Sequence, residues 1–383
     1  MRLAWLTEHY PPGRGGMAVS CDRIVQGLRD RGAHIRVLLL KHGAATDLDL
    51  HRSPEIGGER LRITLGKDTA HGLRALYARE LSGANDSVDA FVAFGGTLPV
   101  LAAPVFAAWA RRPLVLLLRG NDFDTALFNP ARRSMLADAC TRAAAILTVS
   151  RDMAEKLSAW LPGRPVASIP NGIDTTCWHA LPSDHAAAAE LRQGLEFAAG
   201  TCVFLLAGDL KAKKGLNVLA QALADTRLPT RPGLLIAGAV STTDRGLVDA
   251  LAARTDFRHL PARDRHGLIP LMLAADSLLL PSLYDGMPNT LLEATALACP
   301  VLGSACAGVT EVLADFPDCL ARPGDAADLA GVLARFIAMP PQQRKELGRA
   351  QQAHVLSAYT AAAEGAAYMR KFVQILGGSL TSA

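Results

Sequence analysis

The sequence predicts an α/β protein with two doubly wound domains, each a mostly parallel sheet with helices on both faces. The first observation is length, because 383 residues exceed what a single hydrophobic core usually supports. The second is that short apolar runs alternate with segments of helical period. The third is that this alternation stops at a turn-rich stretch, residues 171–183, and then restarts. We therefore expect a first domain at residues 1–170, a second at 171–355, and a C-terminal helix within 356–383.

The first half of the chain contains apolar runs that predict strands, with helical segments between them. The predicted strands are Leu3–Leu6, Ile35–Leu40, Ala90–Phe94, Leu114–Leu118, Ala145–Val149 and Val166–Ile169. The predicted helices include Val19–Arg29, Leu98–Ala110 and Met153–Ala159. The segment from His42 to Arg60 is polar and irregular, so we expect a surface excursion there.

The second half repeats the pattern. Its predicted strands are Val203–Ala207, Leu234–Ala237 and Ser277–Leu280, with shorter ones near Pro300–Leu302 and Asp318–Leu320. Its predicted helices are Gly215–Ala224, Asp244–Ala253, His266–Ala274 and Ala326–Ile337. A looser stretch is expected around Pro182–Ser183, and the tail from Pro341 to Leu376 is helical in pattern without a strand.

The composition is that of a soluble globular protein, with half of the residues hydrophobic and a fifth charged. The seven cysteines form no Cys-x-x-Cys pair, so we expect a cytoplasmic protein with reduced thiols and without a metal site. The apolar run before Glu8 is too short for a signal peptide. The uncharged run Ala90–Ala110 approaches the length of a membrane span, but its glycines and prolines favour a strand followed by a helix.

The charge is distributed unevenly. Residues 1–170 contain 22 Lys and Arg against 16 Asp and Glu, a net +6, whereas residues 171–383 contain 18 against 20, a net −2. A basic first half favours an anionic acceptor or the anionic face of a membrane, although such an excess can also serve only solubility. We expect no nucleic-acid partner, and we expect peripheral contact with the inner face of the cell membrane.

The most informative stretch is Pro281–Pro300, PSLYDGMPNTLLEATALACP. A buried strand leads into a polar turn, and a helix begins within about a dozen residues. Free N–H groups and the positive dipole end at a helix N-terminus can bind phosphate. Asp285 and Glu293 flank this position, and two carboxylates beside an anion site are expected when the ligand also offers hydroxyls. A sugar nucleotide offers both, whereas a lone acid pair of this kind also occurs at ordinary strand ends.

This stretch resembles the donor-binding signature of the family 4 retaining glycosyltransferases, which is Glu, seven residues, Glu, an Ala-rich helix and Pro-Val. The matching positions are Pro281, Ser282, Gly286, Pro288, Asn289, Leu291, Leu292, Glu293, Ala294, Pro300 and Val301. The first acid departs from the pattern, because it is Asp285 rather than Glu. The resemblance implies the GT-B architecture, in which two Rossmann-like domains face a central cleft and the last helix crosses back to the first domain.

Two strand ends in the first half resemble further parts of that family. Gly15 and Gly16 match a Gly-Gly loop that lies near the donor phosphates. Arg119 stands where the family often has a His near the reacting sugar, and Gly120 matches the residue after it. A fixed guanidinium can hold a phosphate or an acid group on the sugar. The alternative is an ion pair with Asp122 or Asp124.

The domain junction and the next strand end extend the resemblance. Asn171 and Gly172 match the family's Pro-Asn-Gly segment, and we expect them at the hinge and in the cleft. The family then has Gly-Arg followed by Lys-Gly, and both cations bind the diphosphate. Lys214 matches the lysine, but Asp209 replaces the arginine. Lys211 and Lys213 are both close enough in sequence for one of them to supply the missing charge, and Lys211 is the one expected to bind the donor. A later Gly-x-x-Glu element matches Gly308 and Glu311, and we expect a structural role for Glu311.

The resemblance implies a retaining hexosyltransferase that uses a nucleoside-diphosphate sugar and needs no metal or other cofactor. Glu293 is expected to hold the ribose hydroxyls, Asp285 to lie at the sugar, and Lys214 to stabilise the leaving diphosphate. The segment expected at the sugar and diphosphate consists of Gly286, Met287, Pro288, Asn289 and Thr290.

The acceptor is expected to be a hydroxyl of a glycan or lipid-linked intermediate in polysaccharide or glycolipid biosynthesis of the cell envelope. Three alternatives stay open. The acceptor can be a soluble small molecule. The chain can be an inactive partner that binds sugar nucleotide without turnover, as the departures at Arg119, Asp209 and Asp285 suggest. A sugar-nucleotide epimerase or a phosphorylase can share the architecture, although Pro281–Pro300 argues against both.

Overall fold

The computed structural model divides the chain into two compact units. Unit 1 comprises Met1–Asn171 together with Ala361–Ala383, and unit 2 comprises Gly172–Thr360. The structure describes residues 1–44, 47–82, 88–225, 228–241 and 244–379. Each unit has a sheet and hydrophobic core of its own, as expected for an α/β fold with two parallel-sheet domains.

In the described part of unit 1, eight strands form one sheet in the order β3-β4-β2-β1-β5-β6-β7-β8. The strands are β1 Arg2–Thr7, β2 His34–His42, β3 Asp49–Glu55, β4 Gly58–Leu65, β5 Ala90–Phe94, β6 Leu114–Leu118, β7 Ala145–Thr148 and β8 Val166–Ser168. The helices before the domain junction are α1 Gly16–Arg29, α2 Thr69–Leu76, α3 Thr97–Ala110, α4 Asn121–Leu127, α5 Pro130–Arg142 and α6 Arg151–Trp160. Every neighbouring pair except β3–β4 is parallel, which explains why the central strands are continuous apolar runs buried on both faces.

In its described part, residues 42–44 and 47–60, the segment from His42 to Arg60 is not irregular, so that prediction was wrong there, and residues 45 and 46 lie outside the described ranges. It contains β3 and the first part of β4, which form an antiparallel hairpin at one edge of the sheet. The turn between them is Ile56–Gly57, and Gly57 has a φ of 73°, which favours glycine. An edge strand needs little apolar character, because much of its surface faces solvent. The sequence of β3 therefore lacks the apolar run that revealed the central strands.

In the described part of unit 2, six parallel strands form a sheet in the order β11-β10-β9-β12-β13-β14. The strands are β9 Val203–Ala207, β10 Gly233–Ala237, β11 Asp256–Leu260, β12 Ser277–Leu280, β13 Val301–Ser304 and β14 Leu320–Ala321. The helices are α7 Pro182–Gly194, α8 Leu216–Asp225, α9 Arg245–Arg254, α10 Arg265–Ala274, α11 Asn289–Ala296, α12 Ala307–Val312, α13 Ala326–Ala338 and α14 Pro341–Ala358. This is the predicted strand–helix alternation, with β11 added at one edge.

The expected loose stretch around Pro182–Ser183 is instead the start of α7. Pro182 occupies the first helical position, where its missing N–H group costs no hydrogen bond. The Asp184 carboxylate also accepts a hydrogen bond from the backbone N–H of Leu181 at 2.8 Å. A proline that begins a helix has the same sequence signal as a proline in a loop, which explains the error.

The helical tail divides between the two units. Helix α14 ends at Ala358 in unit 2, and the C-terminal helix, Ala361–Ser379, belongs to unit 1. Tyr368 and Phe372 of the C-terminal helix are fully buried in the same core as β1, β2 and β5. The C-terminal helix is therefore part of the core of unit 1 rather than an appendage.

The uncharged run Ala90–Ala110 forms β5 and α3, which confirms the prediction of a strand followed by a helix. None of the helices in the described ranges combines the length and the apolar character that a membrane crossing requires.

Candidate functional site

Two lysines and an aspartate converge beyond the carboxyl end of β12. Lys214 Nζ lies 2.6 Å from Asp285 Oδ2, and Lys213 Nζ lies 3.2 Å from Asp285 Oδ1. The Lys213 ammonium also lies 5.7 Å from the centroid of the Tyr284 ring. All three charged side chains are mostly buried, with exposed fractions of 15% for Lys213 and Asp285 and 22% for Lys214. The carboxylate is thus bridged by two consecutive ammonium groups.

The two ammonium groups keep the aspartate ionised. Burial alone would raise the pKa of Asp285, but the charges of Lys214 and Lys213, with their hydrogen bonds, outweigh it and hold this pKa below its ordinary value. The cluster therefore contains two positive charges and one negative charge at neutral pH.

Backbone contacts fix the lysines against the loop after β12. Lys213 and Lys214 lie in a short 3-10 turn, Ala212–Lys214, which follows β9. The backbone N–H of Leu283 donates to the Lys213 carbonyl oxygen at 2.8 Å. Gly215 has a φ of 72°, and a Cβ there would lie 1.9 Å from the Pro281 carbonyl oxygen. Glycine at this position is therefore required by both conformation and space.

Lys211 lies at the start of this turn and is exposed, and it does not pair with Asp285. The second lysine contact comes from Lys213 instead. Asp209, in the place of the expected arginine, is also exposed. A donor-binding role for Lys211 stays a prediction, while the geometry favours Lys213.

The loop and helix after Asp285 have the features predicted for an anion site. Gly286, Met287 and Pro288 are buried, and α11 begins directly after them. Pro288 occupies the N-cap position, and its side chain has no acceptor for the first N–H groups of the helix. The positive end of the helix dipole therefore lies a few residues after Asp285, with Asn289 and Thr290 in the first turn.

Glu293 lies one turn further along α11. It is 8% exposed and is the only buried charged residue in the described part of unit 2. The adjacent residues Leu292 and Ala294 are fully buried. A carboxylate this deeply buried needs polar partners to offset its loss of hydration.

The predicted site residues of unit 1 form a separate cluster. Arg119 follows β6 and is 7% exposed. Its Nη1 donates to the Tyr368 hydroxyl at 2.8 Å, and its Nη2 donates to Asn171 Oδ1. Arg23 Nη2 donates to the same Asn171 oxygen at 2.8 Å, and Arg23 Nε lies 2.5 Å from Glu364 Oε2. This cluster joins β6, α1, the end of the first segment of unit 1 and the C-terminal helix.

The alternative prediction was an ion pair between the side chains of Arg119 and Asp122. The Asp122 carboxylate instead accepts hydrogen bonds from backbone N–H groups. Asp122 Oδ1 accepts from the backbone N–H groups of Arg119 at 2.9 Å and of Gly120 at 2.7 Å. Burial raises the pKa of Asp122, and these hydrogen bonds oppose the rise. The Arg119 guanidinium points elsewhere, towards Asn171 and Tyr368.

Gly15 and Gly16 lie at the start of α1, where Gly15 is the N-cap residue with a φ of 104°. Their neighbour Met17 lies beside Gly95, the residue after β5, because a Cβ on Gly95 would be 2.6 Å from Met17 Cε and 3.2 Å from Oδ2 of Asp122, which lies in α4 just after β6. The α1 N-terminus and the end of β6 are thus neighbours in unit 1. The donor-binding roles of Gly15, Gly16 and Asn171, and the catalytic role of Arg119, stay predictions.

Sequence reasoning did not identify Arg23, Glu364 or Tyr368. They lie on two helices far apart in the chain, and no local pattern marks them as partners of Arg119. The local sequence around them gives little indication of a functional role, since a Glu or Tyr on an amphipathic helix is common. In the described ranges, no group of three or more His, Cys, Asp or Glu side chains could hold a metal ion.

Two family models match the chain. Residues 14–176 match Glycosyltransferase Family 4, and residues 188–354 match Glycosyl transferases group 1. A segment covering 61% of the chain is 27% identical to TuaC of Bacillus subtilis, a glycosyltransferase assigned to teichuronic acid biosynthesis. A segment covering 44% is 31% identical to the D-inositol 3-phosphate glycosyltransferase of Xylanimonas cellulosilytica. These matches span 58% and 42% of the two relatives, which is about half of their length.

Solved structures share the whole fold. The chain superposes on Anabaena Alr3699/HepE in complex with UDP and glucose with a TM-score of 0.75, at 19% identity, covering 98% of this chain and all of the other. It superposes on the sucrose-phosphate synthase of Thermosynechococcus elongatus with a TM-score of 0.77, at 18% identity, covering 98% and 99%. At these identities the likeness shows the fold.

Proposed function

The chain belongs to the glycosyltransferases of family 4 and group 1 and has the GT-B fold, and on this premise we propose that it is a retaining hexosyltransferase. It moves a sugar from a nucleoside-diphosphate sugar to an acceptor hydroxyl. The observation that carries the proposal is the cluster of Lys214, Lys213 and Asp285 beside the N-terminus of α11, with the buried Glu293 on the same helix.

Each of these groups suits one part of the donor. The ammonium of Lys214 and the N-terminus of α11 bind the negative diphosphate. The carboxylate of Glu293 accepts hydrogen bonds from the ribose hydroxyls, and Asp285 accepts one from a sugar hydroxyl. In the reaction the bond between the sugar C1 and the diphosphate oxygen breaks, and a bond from C1 to the acceptor oxygen forms on the same face. The acceptor proton passes to an oxygen of the leaving diphosphate, whose charge Lys214 stabilises.

Structures of Anabaena Alr3699/HepE contain UDP, glucose and UDP-glucose, which makes UDP-hexoses the first donors to test. A panel of UDP-, GDP- and ADP-hexoses should contain a donor from which the full chain releases nucleoside diphosphate when acceptor extract is added. NMR of the product should show the anomeric configuration of the donor. Tight donor binding without release with any acceptor would instead support the inactive binding partner.

The acceptor is proposed to be a lipid-linked or glycan intermediate of the cell envelope, as the relation to TuaC supports. Helix α3 of unit 1 offers a surface for a membrane. Leu101, Val105 and Trp109 are spaced four residues apart on one face, and their exposed fractions are 42%, 41% and 49%. Such a stripe of exposed apolar side chains on one helix marks an interaction surface.

The elements beside this stripe are basic. The π-helical turn Tyr77–Leu81 and helix α5 pack against α3, and residues 111–112 follow it. Together these segments contain the arginines Arg79, Arg111, Arg112, Arg132, Arg133 and Arg142. Their acids, Glu80 and Asp138, lie in ion pairs with arginines. An apolar stripe among arginines suits the surface of an anionic bilayer, so we propose peripheral contact of α3 with the cytoplasmic face of the membrane.

Trp109→Ser should reduce binding to vesicles that contain phosphatidylglycerol by roughly tenfold, because a half-exposed Trp loses about 1–1.5 kcal/mol of interfacial burial. Co-sedimentation at low salt measures this change. Ile56→Ser is the matched control, since Ile56 is 94% exposed but lies in the β3–β4 turn. Equal binding by wild type and Trp109→Ser would contradict the membrane proposal. So would binding that stays the same when the salt concentration is raised or when vesicles of neutral phosphatidylcholine replace the anionic ones. Either result would favour a soluble acceptor.

Gly308→Ala should raise the KM for the active donor by roughly tenfold through overpacking. The Gly308 N–H donates to the Gly286 carbonyl oxygen at 2.7 Å, and a Cβ on Gly308 would lie 2.3 Å from that oxygen and 2.6 Å from Met287 Cβ. The added methyl group must therefore displace the loop between Asp285 and α11. Gly331→Ala in α13 is the control, because its Cβ would meet no atom closer than 3.5 Å. Steady-state kinetics that show an unchanged KM for Gly308→Ala would remove this loop from the donor site.

A further inference from the structure

We propose that Lys213 is a second diphosphate-binding cation and supplies the charge of the arginine that Asp209 replaces. This inference rests on the proposed function and assigns a role to a residue outside the family's pattern. Lys213 and Lys214 contact the two oxygens of one carboxylate, at 3.2 Å and 2.6 Å. Their ammonium groups are thereby held at one place, whereas Asp209 and Lys211 are exposed to solvent.

The convergence of two consecutive lysines is imposed by the backbone. In a 3-10 turn successive side chains point about 120° apart, so neighbours do not normally reach the same group. Here the turn is pinned by the hydrogen bond from Leu283 to the Lys213 carbonyl and by the close approach of Gly215 to Pro281. Tyr284 lies beside the Lys213 ammonium and further restricts it. The backbone thus holds two like charges together, with the Asp285 carboxylate between them as their counter-charge.

The charge of the cluster favours an anionic ligand. Two ammonium groups and one carboxylate leave one positive charge, and the dipole of α11 adds to it. Each ammonium has three donors, so both lysines can bind phosphate oxygens while one retains its contact with Asp285. A diphosphate, with an oxygen for each lysine, fits this arrangement better than a single carboxylate does.

The test uses the full chain and inorganic pyrophosphate as the probe, because pyrophosphate is independent of the base and the sugar. In isothermal titration calorimetry, Lys213→Gln should weaken pyrophosphate binding by about tenfold, the scale for one charged hydrogen bond. Lys213→Arg should restore most of the affinity. Lys345→Gln, which removes the same charge from an exposed position on α14, should change it less than about twofold.

A second measurement separates a phosphate contact from a structural role. With UDP and uridine as probes, Lys213→Gln should weaken UDP and leave uridine unchanged, and the thermal midpoint should stay at that of wild type. Three results would overturn the inference: no pyrophosphate binding by the wild type, equal losses for Lys213→Gln and Lys345→Gln, or a larger loss for Lys211→Gln. Sugar transfer by the wild type is measured separately with the donor panel. If the Lys213 inference fails, that assay still decides whether the proposed function is correct.

Discussion

Lys214→Ala should lower kcat/KM for sugar transfer by roughly 30- to 1000-fold, which corresponds to about 2–4 kcal/mol of transition-state stabilisation. In the proposed reaction negative charge develops on the diphosphate as the bond to the sugar breaks, and we propose that the Lys214 ammonium, held 2.6 Å from Asp285, stabilises that charge. The loss should appear mainly in kcat, because the interaction strengthens as the charge develops. Steady-state kinetics with the active donor measure it.

Two further variants test whether the expected loss is due to the charge and the position of Lys214. Lys214→Arg keeps the charge and should retain more activity than alanine, although the geometry of a guanidinium differs. Lys211→Ala should cost less than Lys214→Ala, because Lys211 is exposed and does not contact Asp285. An unchanged kcat/KM for Lys214→Ala would remove the phosphate role from this residue. A large loss accompanied by a lower thermal midpoint would indicate instead that the ion pair is structural.

Glu293→Gln should weaken donor binding and turnover by roughly 30-fold, about 2 kcal/mol, while the fold remains intact. Glu293 is 8% exposed on α11, and an amide of the same shape keeps the packing but loses the charged acceptor for hydroxyl groups. The rise in KM should exceed the fall in kcat, because ribose hydroxyls are bound in the ground state as well as in the transition state.

The control for this variant is Glu346→Gln, which neutralises an exposed acid on α14 of the same unit. The donor and its 2′-deoxyribose analogue give a sharper comparison. Wild type should prefer the ribose form, and Glu293→Gln should lose most of that preference. Full activity of Glu293→Gln at low donor concentration, or an unchanged preference for the ribose form, would show that Glu293 does not bind the ribose.

Four of the inner strands were predicted to the residue, whereas the edge strands β3 and β11 were not predicted. Strands β5, β6, β9 and β12 have the predicted bounds, because a parallel strand covered on both faces is a short apolar run between polar turns. Strand β11 has no such run, since it lies at the edge of its sheet and is only partly buried. Its residues are stabilised by pairing with β10, and this pairing cannot be predicted from the local sequence of β11.

The same distinction between local and distant information applies to the candidate site. Asp285, the loop after it and Glu293 belong to one short stretch, so a strand–turn–helix pattern was enough to identify them. The convergence of Lys213 with Lys214 depends on how a turn packs on another loop, so the sequence prediction named Lys211 rather than Lys213. The contact of Arg119 with Tyr368 could not be predicted from the sequence, because the two residues are 249 positions apart. Such a contact requires knowledge of the tertiary fold.

The two-segment composition of unit 1 has a consequence for synthesis. Residues Met1–Asn171 emerge from the ribosome first, but Tyr368 and Phe372, which fill their core, emerge only after the whole of unit 2. Unit 2 is continuous in sequence and can fold as soon as it has been made. Until the C-terminal helix has been synthesised, the first segment therefore lacks the two aromatic side chains that complete its apolar core. The C-terminal helix can dock only after unit 2 has been synthesised, and its docking brings Glu364 to Arg23 and the Tyr368 hydroxyl to Arg119.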